Sequence, residues 1–171
     1  GTGVIHAEGT YGLWNSTTTG KIIVNDGVTV EAQTHAIYAE KGTIEINGGT
    51  FKLTDAATAD KDQNGNFKFL LNCYDANYTS GTARINVYGG KFYNFNPENN
   101  KAEGAGTDFC AEGYTAVYDA EGYWEVVEAV AKIGDVNYTS LVDAITAAQD
   151  GDEIKVLRNS AGAGAFISKS I

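Results

Sequence analysis

The stretch Thr43–Leu53, TIEINGGTFKL, decides the fold. Apolar Ile44 and Ile46 alternate with polar residues, which is the period of a strand with one buried face. A Gly-Gly corner follows, and Phe51 then resumes the alternation. The stretch therefore predicts two short strands joined at a glycine corner.

Copies of this unit recur at a nearly fixed spacing, in a weaker form at Lys21–Val30 and again at Arg84–Phe95. Leu13 precedes Ile37 by 24 residues, Ile22 precedes Ile44 by 22, and Ile44 precedes Ile85 by 41, close to two periods. A period in the low twenties that holds two or three strands is typical of a solenoid. Successive coils would then stack as parallel strands about 4.8 Å apart. The spacing predicts an all-β chain folded as a parallel β-helix.

Three segments follow from this interpretation. Residues 1–108 are predicted to form the coils, with polar loop insertions. Residues 109–129 are predicted to form a closing β-hairpin, because Tyr114–Tyr118 and Tyr123–Val127 flank a four-residue connection. Residues 130–171 are predicted to hold a cap helix and the first strands of a following β-helix, or of a neighbouring subunit's.

The helix signal lies in this last segment. Ser140 can cap the helix N-terminus with Asp143 at the third helical position. An apolar stripe at helical spacing then predicts a short amphipathic helix. Gly151 ends the helix, and Glu153–Leu157 is predicted to be a strand.

The composition and charge of the chain argue against two classes of function, nucleic-acid binding and membrane insertion. The chain has 171 residues, 21 glycines and a formal net charge of −10, with 22 acidic and 12 basic residues. Nucleic-acid binding needs clustered Lys and Arg, so a nucleic-acid partner is not expected. No apolar run approaches the roughly 20 residues of a membrane-spanning helix, so membrane insertion is not expected either. Cys73 and Cys110 fit buried thiols best, with a disulfide between them as the alternative.

Three segments carry a resemblance to a known family. Tyr138–Leu157 resembles the N-terminal cap of pectin-lyase-like right-handed β-helices, and Ile46–Phe51 resembles the repeat of β-helical surface proteins and phage fibre proteins from gut microbial communities. Phe92–Tyr118 is similar to the closing segment of such modules. The resemblance implies a right-handed parallel β-helix located outside the cell, at a cell surface or in a virion. It implies no particular activity, because this superfamily includes lyases, hydrolases, adhesins and inert fibres.

Both ends of the sequence lie in mid-pattern, and two interpretations are open. The chain is an excerpt from a longer tandem array, or the ends of different molecules complete each other head to tail, which yields filaments. The residues expected at such a contact are Gly1, Val4, Ile5, Leu141, Ile145, Phe166, Ile167 and Ile171.

The segment from Asp60 to Asn66 resembles the first half of a calcium loop, with oxygen ligands at alternating positions. The candidate ligands are Asp60, Asp62, Asn64 and Asn66. Position 12 is Leu71, where a calcium loop needs a bidentate Glu, so a plain polar insertion between coils is the stronger interpretation. Calcium is the one cofactor that the sequence suggests.

Aromatic side chains are numerous, and those near the longer loops are candidates for stacking on sugar rings: Tyr74, Tyr78, Tyr88 and Tyr93. Catalysis has less support, because neither Arg84 nor Arg158 stands in an acidic cluster. Acidic residues on successive coils, such as Glu31 and Glu45, offer only a weak case for glycoside hydrolysis.

These observations favour a non-catalytic, extracellular structural or adhesive module, part of a surface or virion fibre, that associates with itself, with tandem neighbours or with glycans. The alternative is a polysaccharide-active enzyme, a lyase or glycoside hydrolase, or a glycan-binding tail-spike domain.

Calcium binding is tested by isothermal titration calorimetry of the full chain. If the Asp60–Asn66 loop binds calcium, heat is expected at millimolar metal and is lost when Asp60 and Asp62 are both replaced by Asn. If no heat is observed, the segment does not bind calcium and is a plain polar insertion between coils.

Overall fold

The computed structural model describes residues 2–54, 68–161 and 166–168. The chain divides into two units, Gly1–Ala111 with Ala116–Val126, and Glu112–Thr115 with Val127–Ile171. The elements in chain order are β1 (Gly3–His6), β2 (Tyr11–Val24), β3 (Val28–Ala32), β4 (His35–Ile46), β5 (Thr50–Leu53), β6 (Leu71–Cys73), α1 (Asp75–Ser80), β7 (Ala83–Val87), β8 (Gly90–Tyr93), β9 (Tyr114–Tyr118), β10 (Tyr123–Glu128), β11 (Ala131–Ile133), β12 (Val136–Tyr138), α2 (Leu141–Ala147) and β13 (Ile154–Val156).

The strands lie in three sheets. A six-stranded sheet has the order β1-β3-β5-β8-β10-β9, and β2, β4, β6 and β7 form a second, parallel sheet around β4. The first sheet is mixed, because β1, β3, β5 and β8 are parallel whereas β10 pairs antiparallel with β8. In the second unit, β12, β11 and β13 form an antiparallel sheet against which α2 packs.

The repeat spacing correctly identifies the partners that lie one period apart. Leu13 pairs with Ile37, and Ile22 pairs with Ile44, both in parallel register. Ile44 pairs in turn with Ile85, although the 41 residues between them correspond to about two periods. One repeat period therefore separates β2 from β4, whereas about two separate β4 from β7.

The predicted right-handed parallel β-helix is nevertheless wrong. The described residues form one mixed, one parallel and one antiparallel sheet with about 9% helix, and they form no solenoid or closed sheet. The reason is that the period predicts parallel neighbours but not how many coils follow. The helix α1 interrupts the repeat between β6 and β7, and β10 returns antiparallel onto β8 instead of adding a parallel coil.

Alternating side chains of the first unit form its core. Val30, Ile44, Ile46 and Val87 are fully buried. Phe51 and Phe92 occupy the same position on neighbouring strands, and their rings stack with centroids 5.1 Å apart. The apolar side chains that alternate along Thr43–Leu53 are thus buried in the core, as the sequence predicts.

The glycine corners of neighbouring repeats lie on top of each other. Gly49 and Gly90 both have positive φ, at 102° and 108°. A Cβ on Gly89 would lie 2.6 Å from the carbonyl oxygen of Asn47. The Gly-Gly pair is therefore required both by the backbone conformation and by the close approach of the next repeat.

A buried asparagine supports the irregular middle of β2. The register to β4 shifts between Asn15 and Lys21. The Asn15 side-chain amide donates to the carbonyl oxygens of Gly20 and Thr43, and its oxygen accepts from the Thr17 backbone N–H. These bonds satisfy backbone groups that the strand ladder leaves unpaired.

The local predictions near the C-terminus are confirmed. The hairpin forms as β9 and β10, and Ser140 caps α2 by accepting a hydrogen bond from the Asp143 backbone N–H. The apolar stripe of α2 places Ala144, Ile145 and Ala148 in the interior. The strand over Glu153–Leu157 forms as β13.

The short helix α1 has no counterpart in the sequence-based prediction, because its six residues leave almost no periodic signal. Within the C-terminal segment predicted to begin a following β-helix, residues 166–168 are not a strand. The three-segment domain division remains a prediction.

Truncation of the stacked phenylalanines tests the core. Phe92→Ala is expected to lower the free energy of unfolding by about 3–5 kcal/mol, because it removes a fully buried ring and leaves a cavity beside Phe51. Urea denaturation measures the change. Val117→Ala, at a position 45% exposed on β9, should change stability by less than about 0.5 kcal/mol. Equal effects of the two substitutions would contradict this placement of the core.

Candidate functional site

A groove with a volume of about 590 Å³ crosses the first unit. Its lining residues come from several strands and the hairpin turn: His6, Glu31, Lys52, Leu53, Thr54, Tyr93, Glu121 and Tyr123. We refer to it as the ladder groove, after the ionisable side chains His6, Glu31 and Lys52, which follow one another on neighbouring strands.

The three charged side chains stand on neighbouring parallel strands at one register position. His6 pairs with Glu31, and Glu31 pairs with Lys52. One carboxylate oxygen of Glu31 lies 2.7 Å from Lys52 Nζ, and the other lies 3.0 Å from His6 Nδ1. The Glu31 carboxylate therefore bridges two basic groups and is fixed in position by both.

The ion pairs also set the electrostatics of the groove. The hydrogen bond from Lys52, followed by that from His6, lowers the pKa of Glu31. The same bond raises the pKa of Lys52. Glu31 and Lys52 are thus charged at neutral pH and largely balance each other.

Two tyrosines provide the aromatic part of the groove. Tyr93 on β8 and Tyr123 on β10 are antiparallel partners, and their ring centroids are 5.1 Å apart at an interplanar angle of 58°. Gly122 has a φ of 93°, and a Cβ there would lie 3.0 Å from the Tyr93 ring. The hairpin turn therefore approaches the ring closely enough to limit its movement.

A second aromatic cluster lies on the parallel sheet around β4. The rings of Tyr11 and Tyr38 stack 4.7 Å apart, and His35 stacks on both at 5.5 Å. Trp14 lies beside Tyr11 at 5.4 Å, and its indole N–H donates to the Glu40 carboxylate at 3.1 Å.

Burial perturbs the ionisation of this cluster. Desolvation, followed by the charges around it, raises the pKa of Tyr38 to about 12. Desolvation lowers the pKa of His35, against the opposite influence of its hydrogen bond to the Phe69 carbonyl. Both groups are therefore neutral at physiological pH.

The four tyrosines predicted to bind glycans occupy different places. Tyr93 lines the ladder groove. Tyr74 is 51% exposed directly before α1, and Tyr88 is 36% exposed between β7 and β8. Tyr78 lies on α1 beneath the Arg84 guanidinium, 5.1 Å from its ring centroid. Glycan binding by these residues remains a prediction.

The predicted assembly residues divide between the two units. On β1, Val4 is 70% exposed and Ile5 is half-buried. On α2, Leu141 is half-buried and Ile145 is buried. Phe166 and Ile167 are exposed. Gly1 and Ile171 lie outside the described residues.

The candidate calcium ligands Asp60, Asp62, Asn64 and Asn66 also lie outside the described residues. Within the described ranges, no group of three or more His, Cys, Asp or Glu residues could hold a metal ion. Glu45, one of the two carboxylates considered for hydrolysis, pairs with Lys21 at 2.7 Å on the second sheet, whereas Glu31 belongs to the first.

The two cysteines are free thiols. Cys73 is buried, as expected, and Cys110 is half-buried. Burial is the largest cause that raises the pKa of each thiol. Both are therefore protonated at neutral pH and poor nucleophiles.

Sequence reasoning missed Glu103, an acidic residue whose carboxylate packs against β6. One of its oxygens accepts a hydrogen bond from the Cys73 backbone N–H, and the other is buried without a partner in the described structure. Desolvation raises the pKa of Glu103 to about 7, and the Asp75 charge adds to the effect. No local pattern marks this residue, because its partner lies 30 positions earlier.

No helix among the described residues has the length and apolar character needed to cross a membrane. Comparison with known proteins gives no match to any family model, curated protein or solved structure.

Glu103 makes stability depend on pH. Between the unfolded pKa near 4.5 and the folded pKa of about 7, the folded chain binds more protons than the unfolded chain, so this group's contribution to stability declines as pH rises through that window. Glu103→Gln keeps an acceptor for the Cys73 N–H but carries no charge. We expect the variant to match the parent at pH 5 and to exceed it by about 1 kcal/mol at pH 8, a value reduced for partial exposure.

Urea denaturation at both pH values measures this difference. Glu8→Gln, at an exposed position, is the control and should leave the pH dependence unchanged. A variant less stable than the parent at pH 8 would show that the ionised carboxylate is favourable where it lies.

Proposed function

We propose that this chain is a non-catalytic structural and adhesive module of an extracellular fibre, on a cell surface or a virion, and that it associates by adding strands to its open sheet edges. The occupant of these edges is a second copy of the chain or a neighbouring module. The observation that carries the proposal is that the outer edges of β1 and β2 are paired with no strand in the described part of the chain. The extracellular location is proposed from the family resemblance of Ile46–Phe51 and Tyr138–Leu157.

The outer edge of β1 presents regular backbone groups for pairing. Gly3 N–H donates to the Gly27 carbonyl at 3.0 Å, and Ala7 N–H donates to the Glu31 carbonyl at 2.8 Å. Hydrogen-bonding directions alternate along a strand, so the N–H and C=O groups of Val4 and His6 point away from β3. No strand in the described part of the chain pairs with this edge or with the outer edge of β2.

Exposed apolar side chains stand on the same two strands. Val4 on β1 is 70% exposed, and Trp14 and Ile23 on β2 are 54% and 51% exposed. Proteins that avoid association usually place charges, proline or bulges on such edges. The edge of β2 has an irregularity of this kind between Asn15 and Lys21, so the regular edge is that of β1. Apolar groups beside unpaired backbone favour strand addition from another chain.

Aromatic stacking on β2 also favours the addition of a strand from another chain. The Tyr38 ring on β4 stacks on the Tyr11 ring on β2, the outermost strand of its sheet. An added strand that carries an aromatic side chain at this position would continue the stack and bury the ring. Side-chain stacking and backbone pairing would thus act in the same direction.

Association is tested by light scattering of the full chain over a concentration series. Val4→Pro removes an outward N–H but leaves the hydrogen bonds between β1 and β3 intact, since proline is tolerated at such edge positions. We expect the parent to form concentration-dependent oligomers and Val4→Pro to weaken association about five- to tenfold, the effect of one lost backbone hydrogen bond.

Val4→Thr is the matched control, because it keeps both the N–H and the β-branched shape. It should associate nearly as well as the parent. A parent chain that stays monomeric up to about 1 mM would overturn the proposal of self-association, because a dissociation constant of that size corresponds to a binding free energy of only roughly 4 kcal/mol. Equal association of all three chains would exclude the β1 edge.

A further inference from the structure

We propose that the ladder groove is a binding site for a neutral glycan, a chain of uncharged hexopyranose units that packs on Tyr93 and Tyr123 and hydrogen-bonds to the His6–Glu31–Lys52 ladder. The site requires only groups of the first unit. It does not depend on strand addition at the edges of β1 and β2.

The polar floor is suited to hydroxyl groups. A sugar hydroxyl both donates and accepts hydrogen bonds, so a site for it needs donors and acceptors close together. Glu31 supplies acceptor oxygens, while Lys52 Nζ has three donors and uses one on Glu31 at 2.7 Å. The bridging contacts hold these groups in place before a ligand arrives, which reduces the ordering cost of binding.

The tyrosine pair is suited to the apolar face of a pyranose ring. Tyrosine presents a flat apolar surface with a hydroxyl at its tip, and its electron-rich face attracts the slightly positive C–H groups of a sugar. The 58° angle between the Tyr93 and Tyr123 rings makes an angled wall instead of a closed stack. Both side chains are half-buried, so each keeps part of its surface accessible.

The charge of the groove disfavours anionic ligands. The lining contains two acids, Glu31 and Glu121, and one lysine, Lys52. Lys52, the strongest base of the groove, is already paired, and the chain as a whole carries a net charge of −10. A phosphate, a nucleotide or an acidic polysaccharide would therefore be repelled, whereas an uncharged ligand would not.

The dimensions agree with this ligand class. A volume of about 590 Å³ lies in the usual range of roughly 300–1,000 Å³ for small-ligand sites. Leu53, Tyr93 and Tyr123 supply the apolar surface of the groove, and its other five lining residues are polar or ionisable, a more polar lining than is usual for small-ligand sites. We infer that recognition relies on shape and hydroxyl geometry.

The test is isothermal titration calorimetry of the full chain with maltopentaose, cellopentaose, mannopentaose and a neutral galactan, and with oligogalacturonate as the anionic comparison. We expect at least one neutral probe to bind with a dissociation constant below about 1 mM. Tyr123→Ala should weaken that binding about two- to tenfold, the contribution of one aromatic contact. Lys52→Met should weaken it to a similar extent by removing the ammonium donors.

Tyr118→Ala is the matched control, a tyrosine on the same hairpin that is 56% exposed and does not line the groove. It should leave affinity unchanged, and thermal melts confirm that each variant is folded. The inference is overturned if no neutral probe gives heat of binding at about 5 mM, or if only oligogalacturonate binds. It is also overturned if Tyr118→Ala weakens binding as much as Tyr123→Ala does. Val4→Pro should retain glycan binding, so failure of strand association and failure of glycan binding are distinguishable.

Discussion

Parallel backbone pairing between equivalent strands of successive repeat copies is the interaction on which the first unit depends. Each strand of this kind has its hydrogen-bond partners in the neighbouring repeat, so no repeat is stable alone. The Gly-Gly corners make the close stacking possible, because the Cβ of any other residue at Gly89 would meet the backbone of Asn47. Burial of Phe51 against Phe92 then stabilises the stack from the inside.

The same stacking organises the surface. Residues at equivalent positions lie side by side on neighbouring strands, which brings His6, Glu31 and Lys52 into one polar row. On the second sheet it brings Tyr11 against His35 and Trp14 against Tyr38. A polar row therefore forms part of a groove, whereas an aromatic row ends at an open edge. The glycan and association proposals arise from these two outcomes of one architecture.

The antiparallel pairing of β10 with β8 determines where the groove lies. β10 pairs antiparallel with β8, and this brings Tyr123 beside Tyr93. A further parallel coil at that position would have continued the row of repeats and left no hairpin to supply Tyr123 and Glu121. The strand that departs from the repeat is thus the one that provides the groove with its second aromatic ring.

The sequence by itself determined the local elements and the neighbours one period apart. The spacing from Ile22 to Ile44 identified a parallel pair, and the cap at Ser140 identified α2, because both depend on signals that the chain carries at fixed distances. Only the tertiary structure decided that the strands form three sheets, that β10 reverses onto β8, and that Tyr123 joins a charged ladder begun at His6. Such choices depend on comparing the free energies of alternative long-range pairings, and a periodic pattern is the same for each of them.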